Sequence, residues 1–183
     1  MSISLDSIWI AIPDDTCGDT SWLGEFTDDV EPGLICCQTG EFYRWHFGEA
    51  VDVPPKGREY RSFRPYAGGE KPGTKRYRKY AMQDWRRMDG LQRGEWSFIG
   101  IEAGAVVGYE ISDGGRGGGG VYRGLETLTS GGLWGIESDS GDHLKEVAGE
   151  ELAGLRKHLT AFGVTIPDTW SELCAGAIDG AGL

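Results

Sequence analysis

EWSFIGIEAGAVVGYEIS, residues 95–112, decides the fold. Ile99, Ile101, Ala103, Ala105, Val107, Tyr109 and Ile111 fall on one side, and Gly100, Glu102, Gly104, Gly108 and Glu110 on the other. Side chains alternate across a strand, so this period of two predicts one long, half-buried β-strand. Trp96 and Phe98 begin it on the side opposite Ile99 and Ile101, so both faces are expected to be covered there. Downstream, 121–129 and 133–138 read as two more strands, separated by Ser130, Gly131 and Gly132. The three together predict an antiparallel meander. In the last strand Trp134 and Ile136 are expected to share a face, with Gly135 allowing close backbone approach.

Helical periods flank this block. Tyr77, Tyr80, Ala81, Trp85 and Met88 share one helical face, Thr74 suits an N-cap, and Gly90 closes a helix predicted to end near Asp89. Lys75, Arg76, Arg78, Lys79, Arg86 and Arg87 occupy the remainder and predict a basic outer surface. A second helix, over about 141–162, follows from the stripe Leu144, Val147, Ala148, Leu152, Leu155, Leu159 and Phe162. Asp139 and Asp142 suit the positive end of its dipole, and Gly163 suits its exit.

The rest of the chain reads more locally. Residues 7–12 suggest a short strand, 33–37 and 42–47 a hairpin, and Pro54–Pro55 a break. A short helix is expected over 167–174, before an end that frays. The fold class is α+β: one domain with an antiparallel sheet of four to six strands packed against two amphipathic helices. Within it, 1–55 is an acidic irregular part, 56–93 a basic segment with a helix, 94–163 the meander and its helix, and 164–183 a tail. A chain of 183 residues suffices for one core.

Charge is unevenly spread along the chain. Residues 56–93 carry 12 of the 18 bases against four acids, whereas 1–55 total −10 and 94–183 total −9, within an overall −11. An acidic whole disfavours general adhesion to nucleic acid or membrane, but not a local basic site. No run of 18 apolar residues spans a membrane, and the N-terminus lacks the basic region and cleavage site of a secretory signal. Cys17, Cys36, Cys37 and Cys174 match no zinc or redox spacing and read as reduced thiols in a cytoplasm.

Two charged surfaces are candidate interfaces. Asp14, Asp15, Asp19, Asp28, Asp29 and Glu31 form an acidic set that could imitate nucleic-acid phosphates toward a cationic groove. Arg58, Arg61, Arg64, Arg76 and Arg86 lie among Tyr60, Phe63, Tyr66, Tyr77, Tyr80 and Trp85, the mixture that binds phosphates and stacks on bases. The competing reading is packing on the apolar side and solvation on the charged side.

Catalytic patterns are weak. GGRGGGG over 114–120 contains G-x-G-x-x-G, but the strand-like VYRGLETLT follows it, so a hairpin tip fits better than a phosphate cradle. ESDSGDH over 137–143 fails the spacing of a calcium loop. His46, His143 and His158 form no evident triad. No catalytic residue, metal ligand or cofactor is expected. The enzymatic alternative is a metal-dependent hydrolase on Asp139, Asp142 and Glu146.

GEWSFIGIEA at 94–103 and SGGLWGIESDS at 130–140, the latter followed by an acidic amphipathic helix, resemble a family of small uncharacterised proteins encoded by bacteriophages and prophages. The resemblance covers about 77–163 and carries no catalytic residue. It implies a phage context, in which a small acidic protein binds and inhibits a host nucleic-acid-processing or defence complex of the CRISPR or restriction type. The implied partner is a host protein or ribonucleoprotein in the bacterial cytoplasm. The alternative is a single-stranded nucleic-acid-binding protein using 56–93.

Overall fold

The computed structural model describes residues 2–16, 18–43, 60–112 and 120–183. In chain order its elements are β1 (Ser2–Ala11), β2 (Gly24–Thr27), β3 (Ile35–Cys36), β4 (Ser62–Pro65), α1 (Lys75–Gln92), β5 (Phe98–Ser112), β6 (Val121–Thr129), β7 (Leu133–Glu137), α2 (Asp142–Phe162) and α3 (Trp170–Gly180). The class is α+β, with its antiparallel strands divided between a four-stranded and a three-stranded sheet. Contacts group the chain into two compact units: Met1–Gly18 with Ser97–Leu183, and Asp19–Trp96. No described helix is long and apolar enough to cross a membrane.

In the first unit β5 is the central strand, as its length and alternation predict. β1 runs antiparallel along one edge, from Ser2 opposite Glu110 to Ala11 opposite Glu102, and Asp14 continues this edge by bridging to Ile99. The N-terminal residues are therefore less irregular than expected. A register shift between Leu5 and Ser7 conceals this strand in the sequence. The bulge lets Ile3, Leu5, Ile8 and Ile10 all reach one core although their spacing is not uniformly two.

The expected meander is not formed. β6 and β7 do not pair with each other; both pair with β5, successively along its length. Gly131 and Gly132, at φ 94° and 75°, carry the chain from one to the other. Nor do Trp134 and Ile136 share a face. Ile99 faces Ile136 and Ile101 faces Leu133, so two residues, Trp134 and Gly135, oppose Gly100 alone. Gly135 takes φ 77°, and this bulge resets the alternation: Ile136 is buried while Trp134 stays exposed.

α2 and α3 cover the face of the sheet that carries Ala103, Ala105 and Val107. Leu152, Leu155, Leu159, Val164 and Trp170 complete that core, and Ile99, Ile101, Ile136, Val147 and Ala148 extend it. The two alanines are small enough for a helix to pack closely on the strand. Gly163 ends α2 at φ 91°, with the Val164 amide donating to the Leu159 carbonyl over 2.9 Å and the Val164 side chain buried. The C-terminal end does not fray: Trp170 is buried, Cys174 and Ile178 pack on the same core, and α3 runs to Gly180.

In the second unit β4 lies between β2 and β3. Phe63 on β4 is fully buried, its ring 5.4 Å from that of Phe26 and 5.6 Å from that of Trp85. The expected hairpin is present as far as Tyr43: Ile35 bridges Phe42, the Cys36 amide donates to the Glu41 carbonyl over 2.8 Å and the Tyr43 amide to the Leu34 carbonyl over 2.9 Å; its continuation to Phe47 lies outside the described residues.

Candidate nucleic-acid interface

α1 starts where its cap predicts. The Thr74 hydroxyl accepts from the Tyr77 amide over 3.0 Å and donates to the Lys71 carbonyl. Tyr77, Ala81, Trp85 and Met88 form the buried side; Tyr80 is half-buried. The helix does not stop at Gly90. That glycine is buried, and a Cβ there would lie 3.4 Å from the Trp96 indole. The chain turns at Gly94, φ 70°, and the Trp96 indole N–H donates back to the Arg87 carbonyl over 2.8 Å. The Arg87 guanidinium stacks on that ring at 3.8 Å from its centroid, so Arg87 packs instead of joining the outer surface.

The remaining face is uniform. Every exposed residue of α1 is basic or a glutamine: Lys75, Arg76, Arg78, Lys79 and Arg86, with Gln83 and Gln92. Its two acids, Asp84 and Asp89, are half-buried. Asp89 pairs with Arg93 over 3.0 Å. Eleven steps of 1.5 Å from Lys75 to Arg86 give a cationic ridge about 17 Å long.

Asp84 is held by burial and by the chain before the helix. Burial raises its carboxyl above the ordinary range, against a 2.6 Å hydrogen bond donated by the Ala67 amide. Ala67 is fully buried and takes φ 52°, unusual for a residue with a Cβ. A carboxyl with a raised folded pKa adds stability below its unfolded range, and loses it as pH rises through the folded pKa. Asp84→Asn should flatten that dependence while keeping an acceptor for Ala67. Asp84→Ala leaves the buried amide unpaired and should cost about 1–3 kcal/mol. Urea unfolding across about pH 3–8 checks both.

The other sequence-derived cations divide. Arg64 is engaged from two sides, by Glu25 at 3.2 Å and Asp29 at 2.8 Å. Arg61 is half-buried, and its carbonyl accepts from the Cys37 amide and the Tyr43 hydroxyl. Arg76 pairs with Glu70 at 3.1 Å and stays exposed; Arg86 is exposed. Arg58 lies outside the described residues, as do Cys17, His46 and the 114–119 part of the glycine loop. Lys75, Arg78 and Lys79 were not singled out as site residues. Their signal was there: Lys75, Lys79 and Arg86 recur at i, i+4 and i+11, one side of a helix.

Half of the acidic set is engaged within the protein. The Asp15 carboxylate accepts from the Gly135 amide over 2.9 Å, so it holds the β7 bulge. Asp19 accepts from the Ser21 amide and hydroxyl, which holds it below its usual range. Asp29 pairs with Arg64. Asp14, Asp28 and Glu31 are exposed. The set is also divided, Asp14 and Asp15 in the first unit and the other four in the second.

This division rearranges the charge. The second unit joins the basic segment to the acidic 19–55 and holds 13 acids and 13 bases. The first holds 16 acids against five bases, which is the whole net −11.

Among the described residues no three His, Cys, Asp or Glu side chains could hold a metal ion, so Asp139, Asp142 and Glu146 are not brought together as one. His143 approaches Glu146 at 3.3 Å, and His158 approaches the Thr129 carbonyl at 3.1 Å. Cys36 and Cys37 are buried free thiols. Burial opposes ionisation of Cys36, but hydrogen bonds from Tyr43, Thr39 and Gln38 outweigh it and lower its pKa. An open cavity of about 430 Å³ in the second unit is lined by Glu41, Phe42, Tyr43, Tyr77 and Arg78 with Gly33 and Gly73; the Tyr77 hydroxyl there donates to the Gly33 carbonyl. No family model matches this sequence, and no curated protein or solved structure matches it.

Proposed function

We propose that this chain is a non-enzymatic, phage-type accessory protein that binds and inhibits a host nucleic-acid-processing or defence complex, of the CRISPR or restriction kind, in the host cytoplasm. Its contact is the outer face of α1, laid against nucleic acid. The observation that carries this reading is the composition of that face, five cations with no exposed acid along the helix. Such a ridge neutralises phosphates and releases their counterions. The phage setting comes from the resemblance of GEWSFIGIEA and SGGLWGIESDS. Fluorescence anisotropy of the whole chain with labelled single- and double-stranded oligonucleotides tests the contact. Binding that weakens with salt and with reversal of α1 charges supports it; no binding at low salt ends it.

A second reading has its own observation, the concentration of the net −11 in the first unit. There the acidic unit occupies a cationic groove of a host protein. Charge reversal at the exposed Asp14, which leaves the Asp15 hydrogen bond intact, should then weaken capture of the host protein, while reversal on α1 should not.

A further inference from the structure

The face of the first unit's sheet opposite α2 and α3 carries two tryptophans, each beside a glycine of β5. Trp9 pairs with Gly104 across the β1–β5 ladder, and a Cβ at Gly104 would collide with three neighbouring atoms of its six-membered ring. Trp134 lies against Gly100 in the same way, with three ring atoms 2.5–2.9 Å from where a Cβ would stand. Several ring atoms at similar range mean that each indole lies flat on its glycine and turns its other π-face outward. Trp134 is 50% exposed, and Trp9 is half-buried. Gly100 and Gly104 are four residues apart on one strand, so the rings sit about 13 Å apart on one face.

The glycines make this arrangement. A side chain at either position would lift the indole off the sheet, so these two positions do more than permit a backbone shape. Between them, on the same face, stands Glu102, half-buried and without a hydrogen-bond or ion-pair partner among the described residues.

We propose that this face binds a neutral oligosaccharide, its sugar rings stacked on Trp9 and Trp134 and a hydroxyl between them donating to the Glu102 carboxylate. The polarised C–H groups on the flat side of a sugar ring meet the negative face of an indole, while its rim of hydroxyls needs acceptors. An unpaired carboxylate between two outward-facing rings supplies both. The alternative stacking ligand, a single strand of nucleic acid, would bring phosphates to Glu102 on a unit of net −11, which repels them. This site is separate in residues from α1 and independent of the function proposed for it.

Isothermal titration calorimetry of the whole chain with cellohexaose, maltohexaose, chitohexaose and oligo(dT) tests it. Saturable binding of at least one hexaose is expected, weakened about tenfold or more by Trp134→Ala. Glu102→Gln should weaken it roughly two- to tenfold. Reversal of Lys75, Lys79 and Arg86 should leave it unchanged. Trp134→Phe, which keeps a ring, should retain part of the affinity and reads the site even if the alanine variant unfolds. The proposal is overturned if no hexaose saturates or if Trp134→Ala binds like the parent. It is equally overturned if the Trp134-dependent ligand is oligo(dT), or if Trp134→Ala instead abolishes self-association in sedimentation.

Discussion

Truncating Phe63 to alanine is expected to cost about 3–5 kcal/mol and to unfold the second unit. Phe63 is fully buried on β4, the middle strand of its sheet, and its ring meets Phe26 on one neighbour and Trp85 on α1. A unit spanning Asp19–Trp96 has roughly 4–12 kcal/mol to lose. The large ring leaves a cavity that neither a three-stranded sheet nor one helix can collapse to fill. Hydrogen exchange read by mass spectrometry separates the outcomes. Amides of 62–65 and 75–92 should lose protection, while those of β5 and α2 keep it. Equal loss in β5 would show that the two units unfold as one block. Leu155→Ala, on the fully buried side of α2, should do the reverse at about 2–5 kcal/mol.

Reversing Lys75, Lys79 and Arg86 to glutamate together should abolish oligonucleotide binding while leaving the fold intact. All three side chains are exposed, and none carries a cap or a core contact of α1. If the five exposed cations each neutralise one phosphate, raising salt from about 50 to about 200 mM should weaken the parent roughly 500-fold on a duplex and roughly 130-fold on a single strand. The triple variant should lose most of that salt dependence along with its affinity, because three contacts become repulsions. Arg64→Glu is the contrasting variant: Arg64 already pairs with Glu25 and Asp29, so its reversal should disturb β2–β4 pairing and change binding little. Undiminished binding by the triple variant would remove α1 as the interface.

Much of the architecture was readable from local pattern. The alternation of 99–111, the capped stripe 74–88 and the stripe 144–162 became β5, α1 and α2, because each burial pattern repeats at the period of one backbone geometry. The basic outer side of α1 was readable for the same reason: once the buried positions are known, the exposed ones follow from the pitch. Bulges defeated the reading elsewhere. One near Asp6 hid most of β1, and one at Gly135 put Trp134 and Ile136 on opposite faces, since a single extra residue inverts every later alternation.

Pairing between distant segments is absent from any local period, and it decided how the candidate surfaces are composed. It placed β6 and β7 both on β5 instead of side by side, and laid Trp9 over Gly104 although 94 positions separate them. It also redrew the charge. Along the chain, an acidic third precedes a basic segment; folded together, they cancel within one unit, and the net −11 falls to the other. Charge is a property of each residue, but a surface potential depends on which residues become neighbours, and neighbours are chosen by burial of apolar side chains scattered along the whole sequence.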